Sequence, residues 1–574
     1  MSEIDGGEIL VRMLERAGIR DVFTLHGGHL DSILMAAREH GFRLVDTRHE
    51  QAAVQAADGW ARTTGKPGVA IVTAGPGVAD AVSGVINAHV DAVPLLMIGG
   101  ANPLSEDERL PLAGGFDQVA LLSSVTKWAH RVPDIERIPD QVAQALRIAT
   151  TGRPGPVYLE IPIDVAFAKV DEARVRLPKS IQPQAAPAPS AEAVETAVEW
   201  LQNAARPVIL AGGGAWFSGA GRELLAFAER ARIPVFSNAK AHGLVPADHA
   251  LCGRGVINLA LLNRSAAGEP DVVLVLGARL GLFTGGRGSQ ILARGARLIQ
   301  VDVEGEEIGR NREVDLGIVA DCRETLRAFG AAAEDREWPE RSEWLEAVSQ
   351  VRDASRAMFA QGLEGEKPPI HPYQLADAIV RAAGPEAVVI ADGGETSSWM
   401  ELAAQVHAGG HWLSHGYLAQ LGTGMPFAVA AQVARPDQRV VCVVGDGSVG
   451  INFAEFDTMV RHELPIVVVV NNDQQWGMSA HGQDMIYGPD RRVVTDLGPT
   501  RYDLAAAGFG CHAEHVEEPR DLVPALERAL ASGKPSCVNV MTDPSVISPV
   551  TMALVGGASA AGLTGDPGGA RYLP

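Results

Sequence analysis

The chain has 574 residues, more than one hydrophobic core usually holds, which points to about three domains at roughly 150 residues each. Apolar residues make up 46% and charged residues 21%, as in ordinary soluble globular proteins. The net charge of -21 repels nucleic acid and anionic membranes, so neither is expected as a partner.

The five cysteines (Cys252, Cys322, Cys442, Cys511, Cys537) are scattered and form no C-x-x-C pair. They read as buried free thiols in a reducing cytoplasm. The start, MSEIDGGEIL, has no basic region or long apolar stretch and does not read as a signal peptide. No run reaches the ~18 apolar residues of a membrane span. A cytoplasmic protein is expected.

In chain order, residues 1–176 alternate helices with short apolar strands: ILVRMLERAG, DVFTLHG, GVAIVTAGPG, PLLMIGG and PVYLEIP. This β-α-β pattern predicts a parallel sheet covered on both faces. The Pro- and Ala-rich stretch Leu177–Ser190 reads as a linker. Residues 190–335 repeat the pattern with RPVILAGGGA, DVVLVLGARLG and ARLIQVDVE. A charged connector with one probable helix, RSEWLEAVSQVRDASRAMF, follows. Residues 370–545 repeat the pattern again with AVVIADGG, RVVCVVGDGS, LPIVVVVNND and SCVNVMTDP. The fold class is therefore α/β, with three doubly wound parallel-sheet domains. The tail, 546–574, is rich in Gly and Ala and reads as a mobile segment rather than a core element.

The chemistry is concentrated in the third block. VVCVVGDGSVG is a buried strand running into Gly445-Asp446-Gly447, and LPIVVVV is a second strand ending at Asn471-Asn472-Asp473. Glycines let backbone N–H groups approach a phosphate, and an Asp among them suits a hard cation. A β-α-β unit sets the two turns side by side at the carboxyl edge of the sheet, where ligands bind in open α/β folds.

GDG, a spacer of this length and NN together resemble the signature of thiamine-diphosphate enzymes. The resemblance implies an aminopyrimidine-binding domain (1–176), a middle domain (190–335) and a diphosphate-binding domain (370–545). It implies Mg²⁺ held by Asp446, by Asp473 at twenty-seven positions further on, and by the backbone carbonyl of Gln475. Asn472 is the alternative second ligand. It also implies that Glu50, in DTRHEQAA, bonds the aminopyrimidine and activates the cofactor. Further cofactor contacts are expected at Gly394, Glu395, Thr396, Ala419, Leu421, Gly445, Gly447, Ser448, Trp476 and Gly477. In this family the two half-sites come from different subunits, so a homo-oligomer is expected, a dimer of dimers with the active site at the subunit interface.

TLHGGH, DTRHE, VTAGPG, TKWAHRV, SHGYL and EFDTMVR are similar to the branch holding benzaldehyde lyase, 2-hydroxyacyl-CoA lyases of the actinobacterial type and oxalyl-CoA decarboxylases. The pocket departs from benzaldehyde lyase: Ala113, Ile163, Ser397 and Gly482 stand where that enzyme has Gln, Trp, Tyr and Phe. The smaller side chains open the site. Arg287, Arg294 and Arg297, in TGGRGSQILARGARL, suggest a phosphate-bearing partner such as an acyl-CoA. The tail could close over it as a lid.

These features predict a 2-hydroxyacyl-CoA lyase that reversibly cleaves its substrate, a short branched one such as 2-hydroxyisobutyryl-CoA included, to formyl-CoA and a ketone or aldehyde. His29 is the expected base. Gly28, His29, Ala113, Gln118, Ser397, Met478 and the three arginines are the expected substrate contacts. One alternative is a carboligase or lyase on free 2-hydroxyketones, like benzaldehyde lyase. Others are an acetolactate synthase-like enzyme and an ADP-binding non-catalytic homologue. The resemblance leaves room for ADP in the middle domain, where Gly212-Gly213-Gly214 and Asp302 follow strands.

Overall fold

Runs of β-branched residues become strands, and those flanked by helices on both sides are buried throughout, as parallel strands must be. A computed structural model of the protein describes residues 3–106, 109–183, 185–285, 291–363 and 365–553. In chain order the first strands are β1 (Glu3–Asp5), β2 (Asp21–Leu25), β3 (Arg43–Asp46), β4 (Gly68–Val72), β5 (Leu95–Ala101), β6 (Trp128–Arg131), β7 (Pro156–Pro162) and β8 (Lys169–Asp171). β1 and β8 form a small antiparallel ribbon. The others make a six-stranded sheet in the order β3-β2-β4-β5-β7-β6.

The middle sheet uses β9 (Pro207–Ala211), β10 (Val235–Ser237), β11 (Cys252–Gly255), β12 (Val272–Leu276), β13 (Arg297–Asp302) and β14 (Leu316–Val319), ordered β11-β10-β9-β12-β13-β14. Alternate residues feed opposite cores: Ile209 and Leu274 pack on one face, Val208, Leu210, Val273 and Val275 on the other. A sheet with a core on each face is the doubly wound arrangement. The third sheet uses β15 (Val388–Asp392), β16 (Trp412–Ser414), β17 (Val440–Gly445), β18 (Val467–Asn472), β19 (His512–Val516) and β20 (Ser536–Met541), ordered β16-β15-β17-β18-β20-β19. The pairings of these three sheets are parallel. The fold is thus α/β with three doubly wound parallel sheets, as the sequence predicts.

Two features position the sites. The register sets Gly445 opposite Asn471, so the GDG and NND turns leave neighbouring strands together. Packing also departs from chain order. The described residues cluster into two units, one of Met1–Ala185, His415–Pro436 and Asn452–Leu464, the other of Ala186–Ser414, Asp437–Ile451 and Pro465–Pro574. Two segments from the third block therefore pack with the first sheet.

All five cysteines are buried and free. No helix among the described residues is long and apolar enough to cross a membrane. The expectation that 546–574 is no core element is corrected for its first part. Ser548 and Thr551 are fully buried and bonded to each other, and the Ser548 N–H donates to Glu395. The remaining tail, 554–574, lies outside the described residues.

Candidate active site

Glu50 opens the helix Glu50–Thr64, with His49 as its N-cap accepting the Gln51 N–H. The residue is only 8% exposed, and no hydrogen bond or ion pair joins its carboxylate to a described residue. A buried carboxylate without a partner is costly, and the usual remedy is a donor that arrives with a ligand. Its surroundings are the Thr73–Gly77 turn: a Cβ at Gly77 would lie 2.9 Å from Thr73 Cγ2 and 3.4 Å from Glu50 Oε1.

The same turn meets His29. Thr73 Oγ1 lies 3.4 Å from His29 Nδ1, and the Asn102 amide lies 3.3 Å from Nε2. Asn102 satisfies its neighbours with Nδ2 toward Leu112 O and Oδ1 toward Gly114 N–H, so it donates to His29 Nε2. In that arrangement Nε2 accepts the Asn102 N–H and Nδ1 faces the Thr73 hydroxyl. Ala113, at a left-handed φ of 63°, packs on Gly75, whose added Cβ would fall 2.8 Å from the Ala113 Cβ. Gly28 borders open space, with nothing within 4 Å of a Cβ there. His26 pairs with Asp31 at the surface.

Gln118 is placed differently from expectation. Its Nε2 donates to Glu160 (2.7 Å) and to Gly100 O (3.0 Å), and its Oε1 accepts the Gly75 N–H (2.7 Å). Arg131 pairs with Glu160 from the other side. Every polar atom of Gln118 is thus bonded within the protein, where it braces the Gly75 turn.

Ala419 and Leu421 lie in a loop of the first unit held by two buried groups. Asp91 Oδ1 accepts the Tyr417 N–H (2.9 Å), and Asn452 Nδ2 donates to Gly422 O (2.6 Å) and to Gln55 Oε1 (2.9 Å) on the Glu50 helix. Gly416 is obligatory, since a Cβ would fall 1.8 Å from Asp91 Oδ2. Ala419 holds a left-handed φ of 55°, a conformation that costs roughly 1 kcal/mol and is retained mainly where function needs it.

In the second unit, Gly393 (φ 110°) leads into the helix Gly394–Ala403. A Cβ at Gly393 would lie 3.3 Å from Gly445 N and 3.4 Å from Ser448 Oγ. Thr396 Oγ1 accepts from Asn471 Nδ2 (3.0 Å). The first helical turn, the GDG turn and the end of β18 are therefore gathered, with glycine where a side chain would fill the space. Trp476 lies against Gly447, and Met478 against Gly394. Ser397 bonds Gly393 O through its N–H.

Asp446 and Asp473 face each other across this cradle. Burial first, and then the Asp473 charge, push the Asp446 carboxyl up to about 8. Burial likewise raises Asp473, assisted by the charge of Glu395. Asp446 Oδ2 is buried without a hydrogen-bond partner. Two buried carboxylates and an unsatisfied oxygen suit a hard divalent cation whose other ligands come from phosphate. No group of three or more His, Cys, Asp and Glu among the described residues is placed to hold a metal. Asn472 is turned away, its amide bonded to Asn539, Thr500 and the Gln474 N–H.

Glu395 and Gln475 carry contacts that sequence reasoning missed. Glu395 Oε2 pairs with His481 (3.0 Å), while Oε1 accepts from Ser548. His481 and the Gln475 side chain both bond Pro544 O, and Arg492 donates to Gln475 Oε1. Glu395 therefore anchors the start of the tail. Only the packing reveals this, because a first-turn acid reads in sequence as a helix-dipole partner.

Of the arginines expected to hold coenzyme A, two are described. Arg297 starts β13, at the edge opposite the carboxyl ends, and covers the Trp200 ring at 4.8 Å. Arg294 lies near Arg312, whose guanidinium pKa is held down first by burial and then by the Arg294 charge. Arg287 lies outside the described residues. In the middle domain the N–H groups of Gly212 and Gly214 donate to Leu276 O and Gly277 O, both at 2.9 Å. Those two donors are spent on the end of β12 and the residue after it, not on a nucleotide phosphate. Asp302 accepts the Glu304 N–H within its own turn.

Family models for thiamine pyrophosphate enzymes match three stretches: the N-terminal TPP binding domain at residues 4–121, the central domain at 194–329 and the C-terminal TPP binding domain at 392–540. The chain is 36% identical over 550 residues to the acetolactate synthase large subunit IlvG of Mycobacterium tuberculosis, covering 95% of this chain and 96% of that one. It is 31% identical over 559 residues to a 2-hydroxyacyl-CoA lyase of Arabidopsis thaliana, covering 94% and 96%. It is 30% identical over 545 residues to acetolactate synthase isozyme 1 large subunit of Escherichia coli, covering 94% of each. With all three domain models matched in order and both half-sites carrying suitable donors, the chain belongs to the thiamine pyrophosphate enzyme family.

Proposed function

We propose that the protein is a 2-hydroxyacyl-CoA lyase, reversibly cleaving a 2-hydroxyacyl-CoA to formyl-CoA and a ketone or aldehyde. The observation that carries this reading is His29, set beside the Glu50 turn with Nε2 as its acceptor nitrogen. Thiamine diphosphate supplies, when bound, a nucleophilic carbon and an electron sink. Glu50 would bond the aminopyrimidine. Asp446, Asp473 and the Gln475 carbonyl would hold Mg²⁺ and, through it, the diphosphate.

Breaking a C–C bond beside a hydroxyl requires that the hydroxyl lose its proton as the new carbonyl forms. That proton finally appears on the formyl carbon, so the reaction balances without an oxidant. In this reading His29 accepts it. A 2-keto acid loses carbon dioxide without any such proton transfer, so an enzyme limited to that chemistry has less use for a base here. The small side chains of Ala113 and Ser397 favour a short branched acyl group, with 2-hydroxyisobutyryl-CoA the first compound to try. The acyl-CoA assignment draws support from the 31% identity to the Arabidopsis 2-hydroxyacyl-CoA lyase, not from Arg297. A dimer of dimers, with each site shared between subunits, belongs to the same proposal.

Acetolactate synthesis is the second reading, favoured by the 36% identity to the mycobacterial protein. Purified enzyme loaded with thiamine diphosphate and Mg²⁺ separates the two. Formyl-CoA from 2-hydroxyisobutyryl-CoA, without acetolactate from pyruvate, supports the lyase. Acetolactate without formyl-CoA overturns it.

A further inference from the structure

The turn that carries Glu50 is held from one side by a single short helix, Glu455–Arg461. This helix lies in the stretch Asn452–Leu464, which packs with the first unit. Arg461 Nη1 reaches Asp46 Oδ2 at 2.6 Å, Arg461 Nη2 donates to Asp46 O at 2.9 Å, and His462 Nε2 lies 2.8 Å from Asp46 Oδ1. Asp457 lies 3.6 Å from the Arg48 guanidinium.

These five side chains are at least partly exposed. Glu455 is not: it is 1% exposed. Its Oε1 accepts the backbone N–H of Arg48 at 3.0 Å, and its Oε2 accepts from Thr458 Oγ1 at 2.7 Å. Burial pushes its carboxyl up to about 7 despite those bonds and the nearby charges of Arg461 and Arg48. Seating an acid there is costly where an apolar side chain would cost nothing. Such local conflicts persist mainly where function needs them.

We propose that Glu455 is a positioning residue for cofactor activation: by accepting the Arg48 N–H it fixes the turn from which Glu50 is presented to the aminopyrimidine. Arg48 stands two positions before Glu50, so a loosened Arg48 peptide shifts the first turn of the Glu50 helix. A misplacement of about 1 Å at a reacting group can cost about 100-fold in rate. What the turn needs from Glu455 is an acceptor oxygen. A glutamine supplies one equally, with its amide N–H groups turned to Thr458 Oγ1.

The inference rests on Glu50 serving the aminopyrimidine, so its test avoids any substrate. Two quantities are read for the wild type, E455A, E455Q and E50Q. One is deuterium exchange at the Arg48 amide in the apoprotein, by mass spectrometry of peptides across the turn. The other is deuterium exchange at the thiazolium C2 of bound thiamine diphosphate, by acid quench and proton NMR. E455A should lose protection at Arg48 and slow C2 exchange by about 100-fold, with its melting temperature close to that of E455Q. E455Q should restore both readings. Wild-type readings in E455A overturn the proposal. So does equal failure of E455A and E455Q with a matching fall in melting temperature, since Glu455 would then merely support the fold. If C2 exchange is unaffected in E50Q, Glu50 itself is misassigned and the proposal falls with it.

Discussion

The Arg62 guanidinium lies 2.8 Å from Asp91 and 2.6 Å from Asp58, with all three side chains nearly or fully shut off from water. It also sits 5.1 Å over the Phe427 ring. Asp91 is the residue that takes the Tyr417 N–H and excludes any side chain at Gly416. Removing one member of a buried ion cluster leaves an uncompensated charge, at about 3–5 kcal/mol. Arg62→Ala should destabilise the protein by about that amount in denaturant titration. The loop bearing Ala419 and Leu421 should become susceptible to proteolysis before the rest of the unit unfolds.

Glu50→Ala should abolish turnover, with a loss of about 100-fold or more, while Mg²⁺ and diphosphate still bind through the other half-site. Isothermal titration with Mg²⁺ and thiamine diphosphate, beside a turnover assay, checks both halves. Unchanged turnover would remove Glu50 from the mechanism.

Asp446 and Asp473 give the apoprotein a particular pH dependence. Their folded pKa values are raised, to about 8 and about 6 respectively. A carboxyl so raised favours the folded state in its protonated form. That contribution is complete below the ordinary carboxylate range and is lost as pH climbs through the raised values. The melting temperature of the apoprotein should therefore fall between about pH 4 and pH 8 on account of this pair. Mg²⁺ with thiamine diphosphate should restore it most at pH 8, and Asp446→Asn should flatten the fall. A melting curve series over that range would contradict this if the apoprotein gained stability from deprotonating the pair.

His29→Ala should cut cleavage of a 2-hydroxyacyl-CoA by about 100-fold and leave C2 exchange of the bound cofactor near normal. Single-turnover kinetics beside the exchange assay separate the two effects. Equal losses in both would mean that His29 shapes the Glu50 pocket instead of moving the substrate proton.

The elements that could be read in advance were those whose signal is local. VVCVV and IVVVV are apolar over consecutive residues, as strands buried on both faces must be, and their register alone brings Gly445 level with Asn471. Glu50 was named through the family resemblance, because an acid at the start of a helix reads by itself as a helix-dipole partner. The partners that finish each site were not, because they come from far along the chain. Glu455 meets Arg48 across 407 positions, and Ser548 meets Glu395 across 153. The arginine group misled for a related reason. Three basic residues close in sequence read as one patch, yet Arg297 begins a strand and lies over Trp200. Gln118 was expected to reach out, and its amide is instead consumed by Glu160, Gly100 and Gly75.

The alternation of packing along 415–465, where Asn452–Leu464 joins one unit and the residues flanking it join the other, bears on protein engineering. A chimaera built by exchanging the C-terminal third as a cassette would import a foreign buttress beneath the host's own Glu50. Cassette borders drawn from linear order would then yield well-folded hybrids with a sluggish cofactor. Borders that leave Asn452–Leu464 with the N-terminal portion should spare it.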